Sequence, residues 1–161
     1  MSNRTRSRSR VALVVIVAVV ALVAVSGVAL LAGGRGGFST SAAHEGTVVQ
    51  GSGGTWVNIT PDTLATKLTT QEFVLLNVKT PYIGEIDGTD LYIPYDQVAA
   101  RAAELPKDRT APIVVYCRSG HESAIAAQAL LDLGYTNIEN LDGGMDAWIA
   151  SGRKLVQKPP T

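Results

Sequence analysis

The sequence predicts an α/β domain: a doubly wound parallel sheet with helices on both faces, preceded by one transmembrane helix. Three observations carry this. Two short runs, "FVLLNV" (73–78) and "IVVY" (113–116), are apolar almost throughout, which suits strands covered on both faces. Strand-like and helix-like segments alternate along residues 55–155. And Val11 to Ala32 is a stretch of 22 residues without a charge.

That uncharged stretch would be about 33 Å long as a helix, enough to cross a hydrocarbon core of about 30 Å. Arg4, Arg6, Arg8 and Arg10 precede it and Arg35 follows. The arginine bias predicts residues 1–10 as a cytoplasmic head, 11–32 as a single cell-membrane span and an extracytoplasmic C-terminal domain. A cleaved signal peptide is the alternative. Its apolar core would be long for that role, and the small-residue site ending at Ala43 lies well past the run. Residues 33–54 contain eight glycines and read as a flexible linker. The domain is expected over residues 55–155, with 156–161 as a tail.

Within the domain, Trp56–Ile59 is the first strand candidate. Thr60 is placed to cap a helix with Pro61 at its first position. Residues 73–78 form the next strand. A Gly-, Pro- and Asp-rich crossing follows to Gln97. "YDQVAARAAEL" (95–105) reads as a helix stopped by Pro106. After the strand 113–116, Ser123–Leu133 is a helix ended by Gly134, "NIENL" (137–141) a short strand, and "GGMDAWIASG" (143–152) a last short helix between glycines.

Charge excludes one class of function. Formal net charge is zero, but no acid occurs before Glu45, so the body is mildly acidic. A nucleic-acid surface needs a basic face. With one cysteine there is no intramolecular disulfide, and His44 and His121 lie too far apart in sequence for metal-ligand spacing.

The single cysteine, Cys117, stands at the carboxyl end of a buried strand, where α/β sheets bind ligands. Arg118, Ser119, Gly120, His121 and Glu122 follow it, with a helix expected near Ser123. Loop amides and a helix start aimed at one point favour a thiolate over a thiol, and the thiolate is the nucleophile. The competing reading of a free cysteine is a small buried apolar residue.

The run "VVYCRSGHESAIAAQALLDLGYTNIENLDGGMDAW" resembles the second half of a rhodanese-like domain. That family's loop has the form C-R-S-G-x-R-[SA], matched from Cys117 to Ser123. Its L-x-G-G-x-x-x-W ending is matched at Leu141, Gly143, Gly144 and Trp148. The resemblance spans about residues 55–155. It implies a sulfurtransferase: Cys117 takes sulfur from a small donor such as thiosulfate or a persulfide, holds it as a cysteine persulfide, and passes it to a thiol or other thiophilic acceptor. Arg118 to Ser123 would be the substrate-binding loop, and neither metal nor organic cofactor is implied.

This chain departs from the family pattern at several points. Glu122 replaces the loop arginine, which predicts repulsion of an anionic donor. Asn77 and Lys79 stand where the family has Asp and Arg, and Glu85 where it has His. His121 reads equally as a donor to a sulfur anion or as an exposed loop residue. Tyr116 and Trp148 are expected in the core. Two other functions remain open. One is a non-catalytic module that binds a partner, carries sulfur or senses redox state. The other is a phosphatase, but its C-x5-R loop would need arginine at Ser123.

Overall fold

The computed structural model describes residues 46–158. The head, the expected span 11–32 and the first part of the linker lie outside the described residues. Among the described residues no helix is long and apolar enough to cross a membrane.

Six strands form one sheet: β1 (Gly46–Gly51), β2 (Gly54–Ile59), β3 (Val74–Asn77), β4 (Leu91–Tyr92), β5 (Ile113–Tyr116) and β6 (Ile138–Leu141). Their order is β1-β2-β6-β5-β3-β4. From β2 to β4 every neighbouring pair is parallel, as expected. β1 is antiparallel to β2, so the sheet is mixed.

Alternation along β5 explains the two-sided core. Ile113, Val115 and Cys117 join one cluster with Ala126, Ala127 and Leu130 of α2 (His121–Asp132). Val114 and Tyr116 join the other. That second cluster includes Leu64 of α1 (Pro61–Leu68) and Met145 and Trp148 of α3 (Gly144–Ala150). All four residues of β5 are buried, which is why its sequence is apolar without interruption. Tyr116 and Trp148 are core residues, as expected.

Thr60 caps α1 as the sequence predicts, its Oγ1 accepting the Thr63 N–H at 3.2 Å. Three expectations need correction. Residues 46–54, taken as the end of a flexible linker, form a hairpin running in register from Gly46 opposite Ile59 to Gly51 opposite Gly54. The hairpin turn is anchored on α2, where Gln128 accepts the Ser52 N–H and donates to its carbonyl. Glycine content hid this strand, although Val48 and Val49 carry its β character.

Residues 95–105 are not an α-helix. They form two short 3-10 turns, Tyr95–Gln97 and Ala102–Glu104. Only Val98 and Leu105 of this stretch are buried, and without an apolar stripe to pack, alanine propensity does not hold a helix together. At the far end, Val156, assigned to the tail, pairs through its backbone with Glu85 in both directions.

Candidate functional site

The sheet brings its carboxyl ends to one edge, and Cys117 follows β5 directly. Parallel pairing sets Asn77 opposite Tyr116, and the Val78 N–H donates to the Tyr116 carbonyl at 2.9 Å. Lys79 therefore stands in rank with the start of the cysteine loop. Cys117 retains 1% of its exposure. Its Sγ accepts the N–H of Gly120 at 3.2 Å, which aims a loop amide at the sulfur.

Gly120 adopts φ of +96°, a left-handed conformation that a side chain would resist. It is also the N-cap of α2, which starts at His121, two residues before the expected position. His121, Glu122 and Ser123 thus occupy the first helical turn. Ser123 is fully buried, and its Oγ donates to the Gly120 carbonyl at 3.1 Å, fastening the loop to the helix. Arg118, Ser119 and His121 are exposed. Arg118 Nε lies 3.3 Å from Asp146 Oδ1 in a solvent-facing pair of small energetic value.

Glu122 does not stand as a lone negative charge. Its Oε1 meets Lys79 Nζ at 2.8 Å, with the two side chains 20% and 13% exposed. Its Oε2 is buried and has no hydrogen-bond partner. The expected simple repulsion is thus offset by Lys79, which the sequence marked only as standing where the family has arginine. Asn77 is fully buried. It donates to the Gly84 carbonyl at 3.1 Å and accepts the Lys79 N–H at 3.0 Å, bracing the segment that carries Lys79.

The two glycines at the start of α3 hold the loop from behind. The Met145 and Asp146 N–H groups donate to the carbonyls of Cys117 and Arg118, both at 2.9 Å. A Cβ on Gly144 would run into the Cys117 carbonyl and stand 2.7 Å from the Arg118 oxygen. The Gly-Gly pair at 143–144 is thus a requirement of close approach. Sequence reading marked this pair without supplying its reason.

Beneath the loop, Tyr116 is fully buried. Its hydroxyl accepts the Ile86 N–H at 3.0 Å and lies 2.6 Å from Thr89 Oγ1. Burial pushes the Tyr116 hydroxyl well above the ordinary tyrosine range, only partly offset by its bonds to Thr89 and Ile86.

A sequence profile described as "Rhodanese-like domain" matches residues 61–151. A sulfurtransferase of Allochromatium vinosum is 37% identical over 90 residues, covering 54% of this chain and 81% of that protein. The thiosulfate sulfurtransferase PspE of Escherichia coli is 37% identical over 54 residues, covering 34% of this chain and 52% of PspE. Among solved structures, a rhodanese-related protein from Thermoplasma volcanium superposes with a TM-score of 0.54 at 27% identity, covering 63% of this chain and 98% of its own. The sheet, the cysteine loop and the glycine pair are therefore those of an identifiable lineage: the chain belongs to the rhodanese-like domain family.

Proposed function

We propose that this protein is a sulfurtransferase that carries sulfur on Cys117, anchored by residues 11–32 with its domain on the extracytoplasmic side. The observation that carries the chemistry is the Gly120 N–H aimed at Cys117 Sγ. An N–H so placed can donate to sulfur as negative charge develops on it during transfer. The names of the relatives at 37% identity support the reaction class.

Transfer runs in two displacements. The Cys117 thiolate attacks the sulfane sulfur of a donor held by Arg118–Ser123. A new S–S bond forms, the donor's own bond to that sulfur breaks, and the leaving group departs with the electron pair. Cys117 is then a persulfide whose terminal anion faces the loop amides. A thiol acceptor attacks the terminal sulfur, takes it, and releases the Cys117 thiolate. The acceptor is external, because Cys117 is the sole cysteine of the sequence.

A second reading, a sulfur-carrying or binding module without turnover, is favoured by the burial of Cys117. Turnover separates the two. With a persulfide donor and excess dithiothreitol, the protein should release hydrogen sulfide over many cycles, and Cys117→Ala should not exceed the uncatalysed rate. One sulfur released per protein supports the sulfur-carrying module; equal rates for the two proteins contradict sulfur transfer and leave the binding module.

A further inference from the structure

We propose that the Lys79–Glu122 ion pair selects the sulfur donor, so that the site draws on alkyl persulfides in preference to the thiosulfate dianion. This rests on the sulfur-transfer reading and adds a donor class to it.

The argument begins with where the charges sit. Lys79 follows β3 and is carried by the Asn77–Tyr116 register to the edge that bears Cys117. Glu122 lies in the first turn of the helix that closes the cysteine loop. The two meet at 2.8 Å, and Lys79 Nζ also donates to the Thr80 carbonyl. Both side chains are mostly buried, so the pair is less screened than one in open water. The charge of Lys79 is compensated from within.

Arg118, the other cation of the loop, stands with Asp146. His121 is exposed to solvent. Asn77, on the other side of Lys79, is uncharged. Lys79 and Arg118 are thus each matched by an acid. Glu122 Oε2 adds a buried acceptor with no donor of its own. Thiosulfate would bring two negative charges and three acceptor oxygens to this edge, where no cation is in excess. An alkyl persulfide, R–S–SH or R–S–S⁻, brings at most one charge and no oxygens on the departing sulfur. In the transfer, the Cys117 thiolate bonds to the terminal sulfur and the S–S bond of the donor persulfide breaks. The alkyl thiolate leaves with the electron pair and takes up a proton.

The test is the rate of sulfur loading, followed by intact mass on the full chain, with 2-hydroxyethyl persulfide and with thiosulfate. Wild type should load faster from the persulfide. Glu122→Gln frees the Lys79 charge while nearly keeping the side-chain shape. It should raise loading from thiosulfate about tenfold and change persulfide loading far less. Adding Lys79→Met to that variant should reverse the gain, because the freed cation causes it. A purely structural role would move both donors together. Thiosulfate loading should also become salt-sensitive only in Glu122→Gln, a comparison within one folded protein. An unchanged donor ratio in Glu122→Gln, or faster wild-type loading from thiosulfate, overturns the proposal alone. Loading from neither donor overturns the sulfur-transfer reading and this proposal with it.

Discussion

At the scale of single residues, the site is held by contacts that tolerate little change. Gly144 sits at φ of +56° against the carbonyls of Cys117 and Arg118. Gly152 has φ of +86° with open space where a Cβ would go. Alanine at 152 meets only backbone strain, and alanine at 144 meets strain and a backbone collision. Gly144→Ala should therefore lower stability by more than about 1 kcal/mol beyond Gly152→Ala in urea unfolding. Equal effects would mean that the loop yields without cost. Tyr116 gives a pH prediction. Its folded-state hydroxyl is raised above the ordinary value of 10, chiefly by burial, while the unfolded chain titrates near that value. The folded protein then holds a proton that the unfolded chain loses. The stability is intact below about pH 10 and falls as pH rises beyond it, by up to about 1.4 kcal/mol per unit. Tyr116→Phe should remove this alkaline component in pH-dependent unfolding. It should also cost about 1–3 kcal/mol at neutral pH, because the Ile86 N–H loses its acceptor. An identical alkaline loss in the Phe variant would assign the effect to other groups.

At the scale of elements, β3 and β5 were legible because both faces of each are covered and their runs are almost wholly apolar, whereas β4, two residues inside the Gly-, Pro- and Asp-rich crossing, was not. α1 was legible because Thr60 and Pro61 mark its start. The β1 hairpin was not, since its glycines resemble a linker and its pairing with β2 is a tertiary fact. The 3-10 turns at 95–105 show the opposite failure, local propensity without a packed face. The cysteine loop could be read residue by residue. The Lys79–Glu122 pair could not, because its partners lie 43 residues apart and only the β3–β5 register brings them together. β1 also supplies Val49 to the core margin and ties its turn to Gln128. A fragment from residue 46 should accordingly be more stable than one from residue 55, by roughly 2–3 kcal/mol in chemical unfolding. Matching stabilities would return residues 46–54 to the linker.

At the scale of the whole molecule, an uncharged run flanked by arginines precedes a mildly acidic domain that carries one thiol. We expect a reporter active only after export to work when fused after Thr161, and a reporter active only in the cytoplasm to fail there. The reverse pattern would place the domain in the cytoplasm. Export would also remove the domain from the cytosolic reducing pool, which strips sulfur from persulfides. The account as a whole turns on Cys117 as the atom that receives sulfur. Intact-mass spectrometry after exposure to persulfide and thiosulfate donors tests this most directly. The account predicts a gain of one sulfur on the wild type, its loss on adding excess thiol, and no gain on Cys117→Ser. An unchanged wild-type mass with every donor would contradict it and make Cys117 a structural residue of the core.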